Sequence, residues 1–342
     1  MTHPTRPFWI ASLLLLAALA LSVAVGSVYI PIPSALRLMA SRLSGLPDPQ
    51  DLSAYAVILF SLRIPRTLLI ALAGAGLAGS GAAYQGLFRN PLADPFLIGV
   101  ASGAGLGAVL AMNSGLGSKT FFGLLGVPVA AFIGALITVV LVYQLARVGR
   151  TLPTTNLILA GVAISSFTSA LTSFLMLTST GELRRAIVWM LGGASMSGWQ
   201  PVIAMLPYIA LGLGLLLTTG HALNVFQFGE EQAQQLGLPV ERLRRLIIIS
   251  ASLTTAAAVS FAGVIGFIGL IVPHLVRFAW GGDYRRILPL SIISGAALLL
   301  FADVLARVLM APQELPVGII TALVGVPFFL WVLRRARSQA TW

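Results

Sequence analysis

LIIISASLTTAAAVSFAGVIGFIGLIVPHLVRF, residues 246–278, is the stretch on which the topology of this chain turns. As one helix it would run roughly 50 Å, against a hydrocarbon core of about 30 Å. Gly263, Gly266, Gly269 and Pro273 interrupt it. The run therefore predicts two spans joined by a tight turn near Ala262–Gly266, the second of them short.

Outside this stretch the apolar runs are 8–30, 67–84, 96–112, 121–145, 156–178, 201–218, 287–309 and 316–333. With the divided run they make ten. The run 8–30 is longer than the ~7–15 residue apolar core of a signal peptide and reads as the first span. Composition agrees: 58% of the 342 residues are hydrophobic and 9% are charged, where a soluble protein carries ~25% charged. The fold class is an all-α integral membrane protein, a single domain over 1–342.

Loop charges separate ten spans from nine. With ten, both termini share a side that holds Arg6, Arg89, Arg147, Arg150, Arg242, Arg244, Arg245, Arg277, Arg285, Arg286, Arg334, Arg335 and Arg337. The other side holds Arg37, Arg42, Arg63, Arg66, Lys119, Arg184, Arg185 and Arg307. Thirteen against eight puts the termini in the cytoplasm. Nine spans would separate the two basic stretches VERLRR (240–245) and RFAWGGDYRR (277–286). The net charge of +11 is spread over short loops, which suits topology and lipid headgroups and gives no reason to expect nucleic acid. Cysteine is absent, so disulfides and thiolate metal sites are excluded.

Several features ask for a function. Arg63 and Arg66 in SLRIPRTLL (61–69) lie on the outer side, where arginine should be scarce. Pro65 suits the first turn of a helix, and the two arginines then share a face. They serve either as headgroup contacts or as a basic pocket for an acidic partner arriving from outside. Asp303 and Arg307, four apart in FADVLAR, read as a local pair. No other span carries a central carboxylate, which argues against a proton- or sodium-coupled carrier. Gly99, Gly103 and Gly107 permit close helix contact. In 160–176, Ser165, Ser169, Thr172 and Met176 fall on one helical face. They are either packing positions or a weakly polar pathway wall. No convincing internal repeat relates the two halves.

On the inner side the loop 222–245 is long. Its centre, GEEQAQQLG (229–237), reads as a short helix with Glu230 and Glu231 near its start and Gly237 and Pro239 ending it. Ala233, Leu236 and Leu238 offer it a small apolar surface for docking. QGLFRNPLADPF (85–96) is broken by Pro91 and Pro95, with Asn90 and Asp94 available as caps. Thr154, Thr155 and Asn156 stand at a helix start. GLGSKT (115–120) lacks the glycine spacing of a phosphate-binding loop, and no protease or esterase signature appears.

LRIPRTL (62–68), QGLFRNPLADP (85–95), GEEQAQQLGL (229–238), GFIGLIVPHLVR (266–277), LFADVLAR (300–307) and ELPVGIITALVGVPFFLWVLRR (314–335) together resemble the permease subunit of type II ABC importers. Members of this family carry ferric siderophores, haem and cobalamin. The resemblance spans about 55–337. It implies a homodimer of ten-span subunits in the cytoplasmic membrane, two cytoplasmic ABC ATPase subunits and an outer substrate-binding protein. ATP and magnesium would be held by the ATPase, no cofactor by this chain, and the chain would not be an enzyme. Glu230, Glu231, Gln234, Leu236 and Gly237 would contact the ATPase. Arg63, Arg66 and Arg307 would receive glutamates of the binding protein. Asn90 and Leu92, with Thr154 and Thr155, would form gates, and spans five and ten would line the pathway. Ferric siderophore is the first expectation for cargo, with cobalamin and haem as alternatives.

Overall fold

The structure is a computed structural model, and it describes residues 5–26, 28, 30–45, 47, 49–115, 125–149, 152–179, 181–193 and 198–339. Lys119, Arg150 and most of the rejected phosphate-loop stretch lie outside the described residues. The helices are α1 (Arg6–Ala24), α2 (Ile32–Leu43), α3 (Gln50–Leu87), α4 (Val100–Asn113), α5 (Gly126–Ala146), α6 (Thr154–Leu177) and α7 (Leu183–Met190). They continue as α8 (Trp199–Thr218), α9 (Gly220–Phe226), α10 (Glu230–Gln235), α11 (Val240–Ala262), α12 (Ile268–Trp280), α13 (Tyr284–Val308) and α14 (Val317–Gln339).

The decisive run divides as expected, with α11 ending at Ala262 and α12 beginning at Ile268. Two residues with positive φ make the turn, Gly263 at +80° and Phe267 at +69°. The expectation of ten spans, one of them short, holds only in part. Seven described helices (α1, α3, α5, α6, α8, α11, α13) are long and apolar enough to cross a bilayer, and α4, α12 and the apolar part of α14 are shorter. At 1.5 Å per residue, α4 with 14 residues and α12 with 13 reach only about 20 Å.

Two boundaries also differ. The first span stops at Ala24 rather than residue 30, and Val25 is extended. An amphipathic helix, α2, follows, packing Leu38 against Leu52, Ala56 and Leu59. Pro65 lies in the first turn of the α-helical segment Ile64–Leu87, but that segment is not the start of the helix. Helical backbone runs unbroken from Gln50 to Leu87, with a π-helical stretch at Val57–Arg63 just before the proline. A proline lacks an N–H and crowds the preceding turn, and the wider π register makes room for it.

α3 is the central helix, enclosed by α1, α8, α11, α12 and α13. Small residues let them approach. A Cβ built on Gly81 would lie 2.5 Å from the Gly269 Cα of α12, and one on Gly269 would meet Leu77 O at 2.9 Å and Pro95 Cδ at 2.8 Å. Membrane helices rely on such close packing because lipid supplies no hydrophobic drive between them. α4 meets α5 the same way, Gly103 facing the Gly134 carbonyl. Gly99, the left-handed residue preceding α4 (φ +81°), and Gly107 also face α5, at Thr138 and Ala130.

Candidate functional site

Arg63 and Arg66 lie in the first half of α3 and Arg307 in the last turn of α13, and the three side chains do not share a face. Arg63 turns to the C-terminal end of α1 and donates from Nη1 to the carbonyls of Val23 and Ala24, 3.1 Å each, and from Nη2 to that of Val28. Arg307 reaches the same helix end. It donates to the Ser22 carbonyl (3.2 Å), the Val25 carbonyl (3.0 Å) and the Ser22 hydroxyl (2.9 Å). Two guanidiniums thus satisfy carbonyls that a helix C-terminus leaves without partners, where its dipole favours cations. Both are buried, Arg63 at 6% and Arg307 at 3% exposure.

Arg66 points elsewhere. Its Nη2 donates to Asp303 Oδ1 at 2.9 Å, and its Nη1 pairs with Glu314. Arg307 Nε lies 3.0 Å from Asp303 Oδ2 as an ion pair, without hydrogen-bond alignment. The expected Asp303–Arg307 pair is therefore one edge of a triad. Arg66 opens onto a cavity of about 190 Å³ that Glu314, Pro316 and Gly192 also line. Of the three arginines it alone has a partly exposed side chain facing such an opening. Sequence reasoning missed Ser22 and Glu314. Ser22 sits in an apolar run, and Glu314 is distant in sequence from Arg66.

The C-terminal end of α3, at Leu87, lies about 35 Å from Arg63 along the helix axis. There α10 follows Gly229 and ends before Gly237, both with positive φ. Glu230 pairs with Arg244, which also bonds Glu241 at 2.7 Å. Glu231, Gln234 and Gly237 are exposed. The expected apolar surface is corrected. Ala233 is fully buried and Leu238 packs on the core, while Leu236 (69%) and Phe228 (70%) are exposed. Phe228 could have been found from NVFQFGEEQ, two residues before the helix. Behind this surface, Asn224 bonds Asp283 at 2.6 Å and accepts from the Tyr284 N–H at 2.7 Å.

Between the ends, the 88–99 connection is folded on itself. Asn90 Oδ1 accepts from Leu92 N–H at 2.9 Å, a local turn rather than a helix cap, and Asp94 Oδ1 accepts from Phe96 N–H at 2.8 Å, capping a 3₁₀ turn at Pro95–Ile98. Burial pushes the Asp94 carboxyl up to about 6, against the opposing hydrogen bond from Phe96. That turn packs on α6, whose Gly161 faces Leu97. Thr154 and Thr155 begin α6 with no side-chain cap, Thr154 half-buried and Thr155 exposed. The polar stripe of α6 divides. Thr172 is buried and donates to the Thr168 carbonyl, Ser165 and Met176 are half-buried, and Ser169 is exposed with Ser166 and Ser173. The structure brings Arg66 and Arg307 together through Asp303, and Asn90 together with Leu92. The residue that precedes α10, Gly229, faces Arg89, the neighbour of Asn90.

The model of the FecCD transport family matches residues 14–335. The chain belongs to the FecCD transport family. This FecCD permease is 47% identical over 308 residues to the cobalamin import system permease protein BtuC of Halobacterium salinarum, covering 86% of this chain and 82% of that one. It is 40% identical over 289 residues to the hemin transport system permease protein HmuU of Yersinia pestis, covering 82% and 84%. A solved inward-facing structure of a metal-chelate type ABC transporter superposes with a TM-score of 0.81 at 30% identity, covering 96% of this chain and 98% of that one. As a FecCD permease the chain is a multi-pass transport subunit of an ABC importer and not an enzyme.

Proposed function

We propose that this chain is the homodimeric permease of an ATP-driven importer whose cargo is cobalamin or, second, haem. The carrying observation is the 47% identity to a cobalamin permease across most of both chains. The relatives named for cobalamin and hemin replace ferric siderophore as the first reading. The three short apolar helices complete ten crossings with the seven long ones, and the arginine bias places both termini in the cytoplasm. α6 and α14 keep broad apolar faces uncovered, including Phe167, Phe174, Leu323 and Trp331. In a dimer these faces would meet or line the pathway between subunits, with Ser165, Ser169, Thr172 and Met176 along its wall.

In this mechanism the loaded binding protein docks on the arginine end, with Arg66 as the contact and Arg63 and Arg307 holding α1 and α13 beneath it. Cargo enters the cavity at the dimer axis. ATP binding closes two ATPase subunits and moves α10 through Glu231, Gln234, Leu236 and Gly237, with Glu230 tying it to α11. The connections at Asn90–Leu92 and Thr154–Thr155 open and close the inner side. Cargo crosses chemically unchanged.

The test is reconstitution of the chain with its ATPase and binding protein in proteoliposomes. Cobalamin uptake should require ATP and all three components. Uptake by the chain alone without ATP would establish a secondary carrier instead, and ATP-driven uptake confined to ferric siderophores would restore the first expectation.

A further inference from the structure

Two cavities outside the transport machinery meet at Ala279 and Trp280. One, of about 390 Å³, is lined by Arg6, Pro7, Ile10, Trp280, Gly281 and Arg286. The other, of about 310 Å³, runs between α1, α12 and α13 and is almost wholly apolar, with Leu14, Leu275, Phe278, Leu298 and Phe301 in its walls. Leu14 lies eight residues beyond Arg6, and Val272 eight before Trp280, so the apolar part extends roughly 12 Å from the arginines along two helices.

The two arginines are exposed, and among the described residues neither side chain has an acidic partner. The nearest acid in sequence, Asp283, is already engaged by Asn224 and Arg285. Two unneutralised guanidiniums at the head of a narrow apolar groove, with an indole at the junction, match one amphipathic molecule better than they match bulk lipid. A phosphate suits planar, multidentate donors, tryptophan settles at headgroup depth, and basic pockets between spans favour anionic lipid.

We propose that this groove binds one anionic phospholipid, its phosphate held by Arg6 and Arg286 and an acyl chain laid against α1, α12 and α13. The occupant comes from the surrounding membrane, and the inference does not depend on the cargo or on the ATPase. The bound lipid would tie the start of α1 to the α12–α13 turn, on the same end of the bundle as α10.

The test uses the full-length chain in nanodiscs of dioleoyl phosphatidylcholine with increasing dioleoyl phosphatidylglycerol, and native mass spectrometry of the lipid that stays bound. Wild type should retain phosphatidylglycerol about tenfold in preference to phosphatidylcholine. The double variant R6Q/R286Q should retain both equally. Its residues are exposed and have no acidic partner among the described residues, so it should fold. Ser294→Phe, which fills the apolar part and leaves the arginines, should lose both lipids. Equal retention by wild type would overturn the proposal. So would displacement by soluble glycerol phosphate with no effect of Ser294→Phe, which would mark a simple phosphate site. Efficient disulfide formation between two copies of Phe278→Cys would show the groove covered by a second chain and would also overturn it.

Discussion

Arg307 closes the end of α1 by bonding both the carbonyl and the hydroxyl of Ser22, a residue 285 positions away. The Ser22 hydroxyl also meets Thr67 of α3 at 2.9 Å. One buried serine thus joins three helices, and a guanidinium that is buried in the chain stays charged against Asp303. Replacing Arg307 with methionine removes the buried partner of Asp303 and the bonds to the end of α1, leaving Asp303 only the partly exposed Arg66 among the described residues. We expect a loss of about 3–5 kcal/mol, read as a lowered unfolding midpoint in detergent. Ser22→Ala should cost about 1–2 kcal/mol. No effect of Arg307→Met would mean that Asp303 is satisfied by Arg66 alone.

Arg66 is held by an acid of its own chain, Glu314. On the proposed docking, an incoming carboxylate would have to displace it. Glu314→Gln should therefore raise affinity for the binding protein, by about two- to fivefold, the scale of a partly exposed ion pair. Arg66→Glu should abolish the electrostatic part of docking and its salt dependence. Surface plasmon resonance against the binding protein decides. A Glu314→Gln variant with weakened docking would show that the glutamate is itself part of the contact.

At the other end, Leu236 is exposed and Glu230 is tied to Arg244. Leu236→Ala should leave stability within about 0.5 kcal/mol while lowering transport-coupled ATP hydrolysis. Glu230→Arg should damage both stability and coupling, because it places a cation against buried Arg244. Comparing unfolding midpoints with stimulated ATPase rates separates the two roles. Equal coupling in wild type and Leu236→Ala would remove α10 from the ATPase contact.

Asp94 has a carboxyl raised to about 6 by burial, outside the spans. Its neutral form fits the fold better than its charged form. The stability it contributes is complete below the ordinary carboxylate range and is lost as pH rises through about 6. Asp94→Asn should flatten the stability profile between pH 4 and 7, since an amide oxygen can still accept from Phe96. An unchanged slope in thermal unfolding across that interval would assign the dependence to another group.

Gly269 has no room for a side chain between Leu77 and Pro95, and its carbonyl accepts from Gln85 at 3.3 Å. Gly269→Ala should separate α12 from α3 and cost about 1–3 kcal/mol. The same change should disturb Arg277, which bonds Gln85 at 3.1 Å, so a transport defect larger than the stability loss is expected in proteoliposomes.

Much of this protein was decided by the sequence alone. Apolar run length against bilayer thickness identified an all-helical membrane protein. The glycines after Ala262 located the turn between α11 and α12, because positive φ is cheap only there. The short helix at 230–235 was legible from its acids and its flanking glycines. These are local signals, carried by neighbouring residues. The tertiary structure decided the rest. Helix periodicity placed Arg63 and Arg66 on one face, yet their side chains diverge because the α1 carbonyls draw one and Asp303 and Glu314 draw the other. Ala233 had the composition of a docking residue and is buried. Phe228 and Leu236 carry the exposed surface, since which side of a six-residue helix faces the core depends on α9 and α11. Asp303 has two arginines rather than one because α3 and α13 pack through Gly74 and Gly295, a contact between residues 221 positions apart that no local pattern encodes.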